Sequence, residues 1–461
     1  MERFNIWGFM KFLFGDKKFL NSMFKLAAPI MLQNLLFASL NMVDGVMIGQ
    51  LGESSVAAVG VANQIFFLVS LLFFGIGSGT AIFTAQYWGR KDTERIHSVL
   101  GLSLVMSISG ALIFSLAAII FPVEVISIYS KDPAVISQGS LYLQIVAFSY
   151  VVTAISSNFA FVLRSTENVK LPLLTSIVAL SLNTFLNYGL VLGNFGFPAL
   201  GVKGAAIATV TSRLIEVVLL LIIIYRKKLA VAAPLKALVD FTILPIKKYF
   251  NTTLPVIATE IIWSFGVTVY NIVYARIGTE SIAAVNIAGT LDRIIFVIFI
   301  GLGHACAIMI GNLIGAGENE LATTYTKKFL ILGAFGAAIL GFVMFAFANP
   351  LMALYKVSDI TIGFTIKLVS LMALSLPIRS LNFILLIGIL RAGGDTKVAF
   401  FIDAGSVWII GVPMALIGAF ILELPVHWVY LMVLTDEVIK LVLGLIRYFS
   451  QRWINYLAAP A

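Results

Sequence analysis

Apolar runs fill most of this chain, and short polar clusters separate them. Runs of about 20 residues or more are long enough to cross a bilayer as helices. Twelve such runs can be drawn: 24–49, 54–88, 97–121, 134–163, 169–192, 203–225, 250–277, 281–314, 328–349, 361–390, 398–422 and 427–449. Several exceed what one crossing needs, which predicts tilted or bent helices. Pro29, Pro255, Pro377 and Pro413 fall in or near these runs as candidate bend points.

The pattern is written twice. "GESSVAAVGVANQI" at 52–65 answers "GTESIAAVNIAGTL" at 278–291, an offset of 226. The same offset carries Pro29 onto Pro255, Gly75 and Gly77 onto Gly301 and Gly303, Ala81 onto Ala307 and Gly89 onto Gly315. "LRSTENVK" at 163–170 answers "LRAGGDTK" at 390–397, at offset 227. Each repeat holds six runs, an even number, so the two repeats have the same orientation. The expected organisation is an interfacial segment 1–23, a first lobe 24–225, a linker 226–249, a second lobe 250–449 and a tail 450–461. The fold class is therefore an all-α multi-pass membrane protein with twelve helices in two parallel six-helix lobes. A cleft between the lobes and alternating access are the expected consequences.

Composition agrees. The 461 residues are 60% hydrophobic and 11% charged, with a mean hydropathy of +1.02; soluble domains carry about 25% charged residues. The net charge of +9 is explained by the membrane. With the N-terminus in the cytoplasm, 22 of the 31 Lys and Arg residues gather in cytoplasmic segments and four in outer loops. Both termini are then cytoplasmic, in the cell membrane, and no nucleic-acid partner is needed. Phe4, Trp7, Phe9, Phe12 and Phe14, with Lys11, Lys17 and Lys18, suit either a helix lying on the membrane surface or a flexible basic tail. The single cysteine, Cys306, has no partner for an internal disulfide and reads as packing. The glycine runs "GIGSGTA" (75–81) and "GLGHACA" (301–307) read as sites of close helix approach, with His304 as a packing residue.

Ionisable residues inside spans are costly and mark function by default. Arg213 with Glu216, and Asp436 with Lys440, are spaced to neutralise each other along one helix. Asp292 and Arg293 are adjacent and so face different ways. Asp44 has no such local partner. It shares a face of the first span with Asn34 and Asn41, all within an arc of about 80°. The fifth span offers Asn183 and Asn187, one turn apart, and the sixth offers Thr209 and Thr211. A carboxylate among amides and hydroxyls is a candidate H⁺ or Na⁺ site; the alternative is a hydrogen bond that holds helices together. The second repeat has Tyr270 where the first has Asp44, and Glu260 where it has Asn34. Glu260, Tyr270, Arg379 and Asp403 join Asn34 and Asn41 as candidates to line a substrate cavity. Glu260 is open to three readings: a cationic substrate, a second proton, or a pair with Arg379 or Arg293.

These residues resemble the multidrug and toxic compound extrusion (MATE) family, nearer its DNA-damage-inducible prokaryotic branch. The resemblance rests on "LAAPIMLQNLLFASLNMVDGVMIGQLG", "GIGSGTAIFTAQYWGRKD", "SLNTFLNYGLVLGNFGFPALGVKGAAIATVTSR" and their echoes in the second repeat. It implies a V-shaped pair of bundles exporting drugs or other organic cations against inward H⁺ or Na⁺. It implies no cofactor, and a monomer in contact with lipid. Asp44 falls on the family's acid of helix one, Asn183 on an asparagine of helix five that shares its ion site, and Thr209 on a threonine of helix six. Two departures stand out. Asn187 replaces an aspartate common in that branch, leaving Asp44 the sole acid of the site. The helix-seven glutamate of other branches would fall near Trp263, one turn from Glu260, and Pro377-Ile378 stands where they have an aspartate on helix ten. The alternative within the same superfamily is a flippase for lipid-linked sugars, which calls for cleft arginines; Arg213, Arg293 and Arg379 are the main mid-span candidates. An intramembrane enzyme is the third class, but His97, His304 and His427 are scattered and form no hydrolytic motif.

Overall fold

The computed structural model describes residues 6–352 and 355–457; the side chains of Ile6, Trp7, Phe9, Met10, Leu40, Asn41 and Leu351 also lie outside the description. Phe4 lies outside it as well. The described residues are helical, with no strand among them.

In the first repeat, a short α1 (Ile6–Phe14) precedes α2 (Lys17–Gly49), α3 (Glu53–Gly89) and α4 (Thr93–Ile120). A short helix, α5 (Pro122–Ser127), leads to α6 (Pro133–Val146) and α7 (Phe148–Ser165), which are bent by 47° at Ala147 and are long and apolar enough for a span when taken together. α8 (Lys170–Leu192) and α9 (Val202–Arg226) complete it, and α10 (Leu235–Leu238) lies in the linker. The second repeat holds α11 (Ile246–Ile277), α12 (Thr279–Ala316), α13 (Asn319–Met352), α14 (Asp359–Phe383), α15 (Thr396–Ser406), α16 (Val412–Leu416), α17 (Val426–Val433) and α18 (Thr435–Phe449). π-helical stretches at 384–391, 407–411 and 417–421 extend α14 and join α15 and α16 into one span.

Among the described residues ten helices are long and apolar enough to cross a membrane, or eleven if the bent α6–α7 pair is counted as one span. The twelfth run, 427–449, is realised as α17 and α18. Leu434 between them stays right-handed (φ −59°, ψ −12°), so the break is a slip in hydrogen bonding and not a turn.

Local chemistry sets the ends. The Asp92 side chain caps α4 by accepting from the Arg95 amide at 3.1 Å, and Asp132 caps α6 by accepting from Ala134 N at 2.8 Å, with Pro133 in the first turn. α8 and α12 stop at Gly193 and Gly317, both left-handed. Pro29 and Pro255 sit inside α2 and α11 without ending them.

The chain forms two compact units: residues 32–257, and residues 1–31 with 258–461. In the 32–257 unit, α3 packs on α4, α6 and α7, and α8 on α9, around an apolar core that includes Phe73, Leu143, Tyr150 and Val191. In the other unit, α12 packs on α13 and α14, and α14 on α18, around Tyr274, Leu368, Val369 and Val429.

The paired glycines do the same job in each unit. A Cβ on Gly75 would lie 2.8 Å from the Ile257 Cα, and one on Gly301 would lie 2.3 Å from Met31 Cγ. Gly75 and Ile257 map onto Gly301 and, in reverse, Met31 at the same offset of 226, so one close approach is built twice. Cys306 is fully buried, and its Sγ faces Gly388. His304 stacks edge-on against Phe383.

Candidate functional site

The 32–257 unit encloses a cavity of about 570 Å³. α2 contributes Asp44, α8 contributes Asn183 and Asn187, and α9 contributes Thr209, all to its wall. The four candidate ion-coupling residues thus meet in one place. The reason lies in spacing: Asn183 and Asn187 are one turn apart, so both amides leave α8 on the same side.

Asn187 Nδ2 donates to Asp44 Oδ1 at 2.8 Å, short enough to be a charge-assisted bond. It also donates to Asn183 Oδ1 at 3.2 Å. Turned over, the Asn183 amide instead places its nitrogen 3.3 Å from both Asp44 oxygens, the orientation the neighbouring groups favour. Asn187 is 2% exposed, and its Oδ1 has no hydrogen-bond partner. A buried carboxylate met by neutral amides, with no basic side chain in a salt bridge to it among the described residues, is suited to a small monovalent cation or to a proton. Thr209 donates back to Ala205 O at 3.0 Å, and its hydroxyl also meets that of Tyr142 in the same wall.

Apolar and aromatic side chains supply the rest of the wall, among them Phe66, Phe67 and Tyr142. Asn63, Ser70 and Ser149 add polar points that sequence reasoning did not single out. α3 presents Asn63 and Ser70 seven residues apart, a two-turn spacing that could have flagged them. Asn34 does not line the cavity. The Asn41 side chain lies outside the described residues.

One further charge borders the cavity, Arg213. It pairs with Glu216 as its spacing predicts, Nη1 to Oε2 at 2.9 Å. Glu216 Oε1 accepts from Ser176 Oγ at 2.8 Å. Ser176 in turn accepts from Gln33 Nε2 at 2.8 Å, and Gln33 Oε1 accepts from Arg164 at 3.1 Å.

None of the second-repeat candidates lines this cavity. They lie together in the other unit, in a buried network of charges. Glu260 pairs with Arg391 at 2.8 Å, not with Arg379 or Arg293. Arg379 is already taken, by a two-pronged bond to Asp292 at 2.7 and 2.8 Å. Asp403 lies 3.3 Å from Lys440 and 4.0 Å from Arg391. Lys440 also meets Glu437 at 3.1 Å and Asp436 at 3.4 Å. Tyr270 OH donates to Asp436 at 3.4 Å. Arg391 is one of the 22 basic residues assigned to cytoplasmic segments by the charge pattern, but it is 3% exposed at the end of the π-helical stretch and is paired with Glu260. Among the described residues no cluster of His, Cys, Asp and Glu has the form of a metal centre.

Long apolar helices, an internal repeat and a lone carboxylate in a polar-and-aromatic cavity define a multi-pass membrane transport protein. The chain matches MatE over residues 29–189 and 255–417, one match in each repeat. It belongs to the MATE family of transporters. It is 25% identical over 441 residues to a protein named "Uncharacterized transporter YisQ" of Bacillus subtilis, covering 96% of each chain. It is 24% identical over 433 residues to "Probable multidrug resistance protein NorM" of Thermotoga maritima, covering 93% of this chain and 92% of that one. In fold it is similar to a variant of the Vibrio cholerae MATE transporter VcmN, with a TM-score of 0.85, 19% identity, and 96% and 99% of the two chains covered. That likeness agrees with the twelve-helix, two-lobe fold class read from the repeat.

Proposed function

We propose that this protein is a secondary antiporter that exports amphipathic organic cations in exchange for inward H⁺ or Na⁺, with Asp44 as the coupling carboxylate. The observation that carries the reading is the Asp44 cavity. Among the described residues its one carboxylate is paired by no guanidinium or ammonium within 4 Å, and it lies among neutral amides and aromatic walls. Such a site can hold a proton, a sodium ion or an organic cation, and an occupant of one kind excludes the others. That competition is the basis of exchange. Alternating access of the two repeats about the linker 226–249 would move the site between the two faces. The multidrug name of one relative supports the same substrate class. Placement in the prokaryotic DNA-damage-inducible branch, cytoplasmic termini, a monomer and a cell-membrane location complete the proposal.

The flippase alternative is less well supported. A pyrophosphate needs several free cations, and of the three mid-span arginines Arg213 and Arg379 are engaged by carboxylates, while Arg293 donates to Thr290 at 3.3 Å.

The test is efflux of a cationic dye from proteoliposomes, with a pH gradient and a Na⁺ gradient imposed separately. Wild type is expected to respond to one of them. Asp44→Asn is expected to lose that response while accumulating normally. Undiminished gradient-driven efflux by Asp44→Asn would overturn the assignment.

A further inference from the structure

We infer that Glu216 is a positioning residue: it clamps Arg213 and so keeps Asp44 unneutralised and available to a cation. This rests on the coupling role proposed for Asp44.

Asp44 and Arg213 are the two charged residues in the wall of one cavity. In a site of low polarity, opposite charges that can meet will do so, and the acid would then hold an arginine in place of its ion. No Asp44–Arg213 pair lies within 4 Å among the described residues. Glu216 accounts for this. It is 6% exposed and holds Arg213 at 2.9 Å. Its other oxygen is fixed by Ser176, which Gln33 fixes in turn. The clamp is therefore braced from α8 and α2 and cannot simply follow Arg213 into the cavity. The guanidinium also lies over the Phe37 ring, 5.7 Å from the centroid.

The second repeat arranges the corresponding groups differently. At offset 227, Thr209 maps onto Asp436, Arg213 onto Lys440 and Glu216 onto Leu443. The cation is retained and the clamping acid is not. There Lys440 lies directly on the local carboxylates, at 3.4 Å from Asp436 and 3.3 Å from Asp403. Glu437, one turn before Lys440, also meets it at 3.1 Å, so all three local acids share the one cation and none of them is left unneutralised as Asp44 is.

Three proteins test the clamp against wild type: Asp44→Asn, Glu216→Gln, and Arg213→Gln with Glu216→Gln. Ethidium efflux from proteoliposomes is measured at matched protein content. Glu216→Gln is expected to lower efflux about tenfold or more, since Arg213 is freed to pair with Asp44. The double variant is expected to recover to within about threefold of wild type, because it has no cation to compete. A residue that merely supported the fold would not be rescued by removing its partner. If Glu216→Gln does not accumulate, Glu216→Asp replaces it. Its shorter reach loosens the clamp, and its deficit should likewise be reversed by Arg213→Gln. Full efflux by Glu216→Gln, or a deficit that Arg213→Gln leaves in place, overturns the clamp while Asp44→Asn remains inactive. Full efflux by Asp44→Asn overturns the clamp together with the coupling role beneath it.

Discussion

Asp16 lies just ahead of the first long helix, outside the membrane-spanning segments, and ties the start of the chain to α13. It accepts from Lys328 Nζ at 2.7 Å and from the Phe19 amide at 3.0 Å. The Lys328 ammonium also lies over the rings of Phe12, Phe19 and Tyr325, at 5.1 to 5.4 Å. Partial burial pushes the Asp16 carboxyl up, but the Lys328 bond, the amide bonds and the Lys328 charge outweigh it and leave it below the usual carboxylate value of 3.8. A carboxylate with a lowered folded value stabilises the fold while it is ionised, above its unfolded value of about 3.9. That contribution fades as pH falls from there through the lower folded value. Purified Asp16→Asn should therefore unfold at a lower temperature than wild type at pH 7, and the gap should close as the pH drops below about 4. A gap that is unchanged at low pH would show that the ion pair is not its source. At this same scale Asp44 was legible from sequence, because an acid after an uncharged run from residue 26 to 43 has no local partner. The partner of Glu260 was not legible. Arg391 is 131 residues away, and only the fold brings the two together.

At the scale of elements, the long helices could be read because lipid and core both select apolar residues, and the run lengths follow from bilayer thickness. The π-helical stretches could not be read. A change in hydrogen-bond register leaves hydropathy untouched, so the stretch that ends at the buried Arg391 carries no mark in the apolar pattern. The break at Leu434 was hidden for the same reason. The glycines were legible as contacts but not as to what they touch. On α3, a Cβ at Gly75 would press on the Ile257 backbone at 2.8 Å, whereas one at Gly60 would meet nothing within 4 Å. Gly75→Ala should thus cost about 1–3 kcal/mol, despite the better helix propensity of alanine, because neither backbone can yield cheaply. Gly60→Ala should be neutral or slightly stabilising. Thermal unfolding in detergent checks both. Equal melting temperatures for the two variants would remove the case that the repeated glycines exist for close approach.

The whole molecule shows how the two repeats are divided between compact units. The boundaries fall after Met31 and after Ile257, themselves 226 residues apart, so each unit begins partway along the first helix of its own repeat. Each unit also takes the opening of the other repeat's first helix. In the 32–257 unit, Thr80 shares a hydrogen bond of 2.8 Å with Tyr249, and the Gly79 backbone approaches Thr253. In the other, Gly301 approaches Ala27 and Met31. A sequence repeat is therefore not a folding unit here: each needs about a dozen or more residues that chain order assigns elsewhere. The consequence can be tested by dividing the chain between Asp240 and Phe241, in the linker before α11. Fragment 1–240 then lacks residues 246–257, and fragment 241–461 lacks residues 1–31. Each fragment expressed alone should accumulate poorly and unfold without a sharp transition, since its glycine-lined groove stays open. Co-expressed, the two should assemble, co-purify and recover dye efflux. Autonomous folding of 1–240, with a melting temperature equal to that of the co-expressed pair, would mean that residues 246–257 contribute nothing to the unit and that the six-helix repeat suffices.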